Sequence, residues 1–148
     1  MSRKHDRRHV LKLVFQMEFI DNIDPAETIS EYYEAFKDLE KTESVDTEFV
    51  EKEFCGVIEY KEKLDAAINE STSGWHVSRI SKTDLAILRL GIYEMLYNDD
   101  VPVGVAINEA VELAKVFSSD DSPSFINGIL SRIEEDKIEK PEDTEKNE

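Results

Sequence analysis

Residues 75–130 read WHVSRISKTDLAILRLGIYEMLYNDDVPVGVAINEAVELAKVFSSDDSPSFINGIL, and the fold turns on this stretch. Between 84 and 97, positions 85, 86, 87, 88, 90, 92, 93, 95 and 96 are apolar. A helix that is hydrophobic nearly all round must be covered on most sides, so this one is predicted to be central. Asp99, Asp100 and Pro102 end it, because the residue before a proline is pushed out of the α region. A second helix follows with Ile107, Ala110, Val111, Ala114 and Phe117 on one face and Asn108, Glu109, Glu112 and Lys115 on the other. Ser122-Pro123 reads as an N-cap followed by a first-turn proline, with Ile126, Ile129, Leu130 and Ile133 as the stripe behind it.

Working back toward the N-terminus, residues 4–20 fit a first helix. At about 100° per residue, Val10, Leu13, Val14 and Met17 share one side, while Lys4, Arg7, Arg8 and Lys12 gather on the opposite one. Phe15 and Phe19 extend that basic side. Asp24-Pro25-Ala26-Glu27 is a capping-box pattern with proline at N1, followed by the stripe Ile29, Tyr32, Tyr33, Phe36, Leu39. Residues 40–44 form a polar connector. Asp46 or Thr47 then caps a long helix to about residue 69, with Val50, Phe54, Val57, Leu64 and Ile68 near one face. Gly56 lies inside this helix, which predicts a bend or a close helix contact. Residues 70–74 are the natural joint, and Trp75 is expected to anchor the entry to the second half.

The expected fold is therefore all-α, with roughly six or seven helices in two small bundles. The bundles would span about 1–70 and about 75–133 within one compact domain. Residues 134–148 are an acidic tail whose last ten or so are expected to be disordered, since they hold too little apolar surface to offset ordering.

The formal charge is −16 over 148 residues. Residues 1–12 carry Arg3, Lys4, Arg7, Arg8 and Lys12 against Asp6, a net of +4, which leaves −20 for the remainder. Any contact with phosphates is thereby confined to a small face. Cys55 is the only cysteine, so no intramolecular disulfide forms and a reducing, cytoplasmic compartment is expected. No run approaches the ~20 apolar residues of a membrane span.

The leading candidate site is the basic side of the first helix. Cations neutralise phosphates, and exposed aromatics give single-stranded bases a surface to stack on. Arg3, Lys4, Arg7, Arg8, Lys12 and Phe15 supply both, unless Phe15 belongs to the core. A second candidate is the segment 120–127, where Ser122 could cap a helix or bond to RNA and Phe125 could stack or be packed inside. His5 and His9 stand at i and i+4, a spacing that can share a metal. The adjacent arginines and the lack of a third ligand argue against one, and charging of both in acid could instead strengthen RNA binding. No glycine-rich phosphate loop or nucleophile–base pair is present, and Cys55 reads as inert. The chain is expected not to be an enzyme and to need no cofactor.

Residues 75–79, the run AILRLGIYEM, the run DVPVGVAINEAVELAK and then DDSPSFINGIL resemble the NusB family of transcription antitermination factors. The resemblance implies a non-enzymatic adaptor that holds a single-stranded boxA-like element of nascent ribosomal RNA within the RNA polymerase antitermination complex. By resemblance, the arginine-rich first helix carries the RNA, Phe15 falls where an aromatic is usual, and Asp121, Ser122 and Phe125 match further RNA contacts. The implied partner is the small-subunit ribosomal protein that doubles as NusE, docked against the second bundle near Asp84, whose carboxylate would otherwise serve as a first-turn acid. The family includes monomers and dimers that hide the RNA face, so a homodimer is possible. The rival reading is a helical protein-interaction module without RNA binding.

Overall fold

The computed structural model describes residues 2–36, 45–72 and 76–138, the side chain of Phe36 apart. Leu39, the connector 40–44, Trp75 and the segment 139–148 lie outside the described residues. Among the described residues six α-helices follow one another: α1 (Arg3–Met17), α2 (Pro25–Phe36), α3 (Thr47–Ser71), α4 (Lys82–Tyr97), α5 (Val103–Phe117) and α6 (Ser122–Lys137). A 3-10 turn at Val77–Arg79 precedes α4, and no strand occurs among the described residues.

Helices α1 to α4 each start where a side chain supplies an acceptor for a free first-turn amide, whereas α5 starts after Pro102 without one. Ser2 Oγ accepts from His5 N at 3.2 Å and Asp24 Oδ1 accepts from Glu27 N at 3.3 Å. Asp46 Oδ1 takes Phe49 N at 3.1 Å, and Ser81 Oγ takes Asp84 N at 3.2 Å. Helix α6 differs from expectation. Its N-cap position is Asp121, no side chain caps it, and Ser122 is already helical. The Ser122 hydroxyl is engaged elsewhere.

Helix α4 is the spine. It packs against α1, α3, α5 and α6, and every residue from Asp84 to Met95 is buried. One hydrophobic core runs through all six helices, with Leu13, Phe54, Leu64, Ile68, Leu88, Ile92, Ile126 and Leu130 fully enclosed. Each such side chain contributes about 1.5–3 kcal/mol by leaving water. Two glycines set how closely the helices approach. Gly56 of α3 faces the ring of Tyr93, where a Cβ would overlap the Tyr93 hydroxyl end. At Gly91, a Cβ would lie 3.2 Å from both Ala110 Cβ and Leu130 Cδ1, so α4 meets α5 and α6 at this point.

Charge is also built into the interior. Arg89 is buried and bonds Asp65 through Nε at 2.8 Å and Nη2 at 2.9 Å, while its Nη1 reaches Glu18 at 2.7 Å. This arginine joins α4 to α3 and to the end of α1. Burial alone would raise the Glu18 pKa, but the hydrogen bonds and charges of Arg89 and Lys82 together lower it.

Candidate nucleic-acid interface

Helix α1 presents its functional residues according to their angle around the axis. Lys4, Arg8, Lys12 and Phe15 recur at helical spacing and lie on the side away from Val10 and Val14. Arg8 is exposed, with its guanidinium carbon 5.9 Å from the centroid of the Phe117 ring. Phe15 is 36% exposed and its ring lies 5.2 Å from that of Phe19, which is 63% exposed. Lys12, Phe15, Gln16, Thr83, Ala86 and Phe117 border an apolar groove of about 390 Å³. Two aromatic edges and flanking cations around a groove of this size can receive a planar base and hold the attached phosphate.

Two residues expected on an RNA-binding surface, and one expected at a partner surface, are buried. Arg7 is 5% exposed, and its Nε reaches the two Glu94 carboxylate oxygens at 3.0 and 3.2 Å. Its Nη1 also lies 3.8 Å from Glu109. The physical reason is position: Arg7 projects about 100° away from Arg8, on the side that meets α4. Ser122 is buried as well, donating to Asp84 Oδ2 at 3.0 Å. Asp84 itself, expected at a partner surface, is 8% exposed and also accepts from Ser118 Oγ at 2.5 Å. Ser118 and Ser119 each stand 2.9 Å from Ser122 Oγ. The carboxylate thus pins the α5–α6 turn to the start of α4.

Arg3 and Lys4 remain exposed but are paired. Arg3 Nη1 lies 3.2 Å from Asp6 and 3.1 Å from Asp46, and its guanidinium stacks 4.0 Å over Phe49. Lys4 reaches Glu109 at 3.5 Å. Asp121 is exposed and Phe125 half-buried, and both border a second hollow of about 220 Å³ with Arg79, Ile80, Ser81 and Ser119. Both hollows border the first turn of α4, the first through Thr83 and Ala86 and the second through Ser81 and Asp84. Arg79 and Phe117 were not legible as site residues. Arg79 lies in a short polar turn, and Phe117 fits the apolar stripe of α5, whose last turn overhangs the core and leaves it 37% exposed.

His9 bonds the Tyr32 hydroxyl through Nδ1 at 2.6 Å and faces His5 Nε2 through its own Nε2 at 3.2 Å. No cluster of three or more His, Cys, Asp or Glu side chains among the described residues could hold a metal. Cys55 is on the exposed side of α3, and partial burial together with Glu51 raises its thiol pKa, which keeps it protonated. Among the described residues, no helix is long and apolar enough to cross a membrane.

The described residues thus form an all-helical body organised around one buried helix, with a strip of cations and half-exposed rings on its surface. The chain belongs to the NusB family, whose model matches residues 4–135. It is 45% identical over 138 residues to the transcription antitermination protein NusB of Acetivibrio thermocellus, covering 93% of this chain and 92% of that protein. It is 43% identical over 136 residues to the NusB of Bacillus pumilus, covering 92% and 97% respectively. Its fold is similar to that of T. maritima NusB, with a TM-score of 0.79, 31% identity, and coverage of 99% of this chain and 98% of that one. It is also similar to a chain from the crystal structure of antitermination factors NusB and NusE in complex with dsRNA, at a TM-score of 0.75 and 22% identity, covering 90% and 96%. The protein is a non-enzymatic transcription antitermination factor of this family.

Proposed function

We propose that this protein is an RNA-holding adaptor: it takes a single-stranded boxA-like element of nascent ribosomal RNA and presents it, with a NusE-type ribosomal protein, to RNA polymerase. Residues 1–133 form the RNA-binding unit in this reading. The observation that carries it is the strip Arg8, Lys12, Phe15 and Phe117, where Lys12 and two half-exposed rings border one groove and Arg8 stands over the Phe117 ring, on an otherwise acidic chain. Phosphates are drawn to Arg8 and Lys12, with Arg3, Lys4 and Arg79 at the margins, and bases stack against Phe15 and Phe117. Asp121 and Phe125 offer a hydrogen-bond acceptor and an apolar edge at the far end, suited to bases or ribose hydroxyls rather than the phosphate backbone.

With about four phosphates neutralised, the single-strand salt slope should be only about −3. Affinity for RNA alone is therefore expected to be modest. A basic partner beside the strip would lengthen the cationic track and would be attracted by the acidic body. Asp84 supports this assembly indirectly by holding Ser118 and Ser122 in place.

The test is an anisotropy titration of labelled boxA RNA with the protein alone and with its NusE-type partner. Affinity is expected to rise in the pair, and Arg8→Glu with Lys12→Glu should abolish RNA binding while partner binding persists. Equal affinity with and without the partner, or unchanged RNA binding in the double variant, would overturn the reading.

A further inference from the structure

Beneath α1 lies a buried polar cluster that RNA binding does not use. Glu53 of α3 is 0% exposed, and Glu94 of α4 is enclosed beside it. Glu53 Oε2 accepts from Asn98 Nδ2 at 2.8 Å. Its Oε1 is inaccessible, and no donor among the described residues reaches it. Glu94 lies close enough for its charge to raise the Glu53 pKa, yet its carboxyl already receives Arg7 Nε on both oxygens. Two carboxylates cannot bond to one another without a proton, and a charged buried oxygen lacking a donor is among the costliest arrangements in a protein.

The charge count gives the same answer. Arg7 is the cation at the centre of the cluster and is matched by Glu94; Glu109 of α5 approaches it only at 3.8 Å and is shared with Lys4. Tyr93 of α4 faces the same space and is neutral. Among the described residues, no further cation pairs with Glu53. A single proton on Glu53 resolves both deficits, because the orphaned buried oxygen can then donate.

We propose that Glu53 donates a buried hydrogen bond to Glu94 and thereby serves as the positioning residue that orients Glu94 toward Arg7, fixing α1 against α4. The chain of contacts is Asn98 to Glu53 to Glu94 to Arg7. Asn98 also accepts from Asp100 N at 3.0 Å, so the α4–α5 turn is tied into the same cluster. Burial first, then the charge of Glu94, raises the Glu53 pKa far above the ordinary carboxylate range. A raised carboxyl pKa means that the folded state holds a proton the unfolded chain has lost. Stability therefore falls as pH rises above the ordinary carboxylate range, until the folded group itself titrates.

The experiment uses the full-length protein. The carbon NMR shift of the Glu53 side-chain carboxyl is expected to keep its protonated value at neutral pH and to move only in the alkaline range; a carboxylate value at neutral pH overturns the proposal. Glu53→Gln places an amide donor where the proton sits. Between about pH 6 and about pH 8 the wild type should lose about tenfold in folding equilibrium per pH unit relative to Glu53→Gln. Parallel profiles would overturn the proposal. Amide exchange across residues 7–12 should stay at the wild-type level in Glu53→Gln and quicken in Glu53→Ala, whereas equal behaviour of the two variants refutes the positioning role. Only a consequent weakening of RNA binding in Glu53→Ala rests on the function proposed above. The other measurements involve no RNA, so failure of that function and failure of this assignment remain distinguishable.

Discussion

Consider replacing Arg7 by alanine, with Arg8→Ala as its control. The two arginines are adjacent in sequence and chemically identical, yet the structure assigns them opposite consequences. Removing Arg7 leaves Glu94, 1% exposed, without the guanidinium that contacts both its oxygens. Breaking a buried pair from one side costs about 3–5 kcal/mol, because the surviving charge stays desolvated. Against a total stability of about 5–15 kcal/mol, that is a large share. With a urea m-value of about 2 kcal/mol per molar, the midpoint should fall by about 1.5–2.5 M. Arg8 is exposed and stacks loosely on Phe117, so its removal should change stability by no more than about 0.5 kcal/mol. Urea unfolding followed by circular dichroism measures both. Adding Glu94→Gln to Arg7→Ala should recover part of the loss, since the orphaned charge goes with it. An Arg7→Ala protein with the wild-type midpoint would refute the buried assignment, and so would an Arg8→Ala protein that is the less stable of the two.

Two further substitutions probe how the strip is held. Gly56→Ala gains about 1 kcal/mol of helix propensity but places a methyl group against the Tyr93 ring, and overpacking costs about 1–3 kcal/mol, so the melting temperature should drop or at best stay level; a clear rise would mean that the α3–α4 approach is looser than described. Asp84→Ala removes the acceptor of the buried Ser122 hydroxyl at a cost of about 1–3 kcal/mol, and amide exchange at residues 118–122 should quicken more than in α1. Uniform exchange across both segments would contradict a local pinning role.

How much of this was legible depended on whether a residue's environment is set locally. The central burial of α4 was readable because an all-round apolar helix has no alternative. The close approach at Gly56 was readable because glycine inside a helix needs a reason. Arg7 was not read correctly, although the pattern held a clue: Arg7, Val10 and Val14 share the i, i+3, i+7 spacing of the buried stripe. Its charge suggested solvent, and its counter-ion lies 87 residues away on a helix that otherwise reads as apolar. The pairing of Asp84 with Ser122 was not legible for the same reason, since each satisfies the other across 38 positions while the local signal suggests two independent caps. Phe117 erred in the other direction, because periodicity reports a face and not where along its length the helix leaves the core.

Withdrawing Arg7 from the surface alters what the strip can do on the proposed reading. Each neutralised phosphate adds about −0.7 to the single-strand salt slope, so one arginine fewer makes attraction both weaker and less sensitive to salt. Stacking on Phe15 and Phe117 must then carry more of the affinity, at about 1–3 kcal/mol per base, and that contribution persists as salt rises. A surface so balanced selects unpaired bases over duplex, because a paired base cannot turn its face to a ring. It also leaves long-range attraction to be supplied by a basic partner. On that reading, the buried arginine and the need for a partner follow from one distribution of charge: a cation that would have strengthened RNA attraction at the surface instead holds α1 against α4.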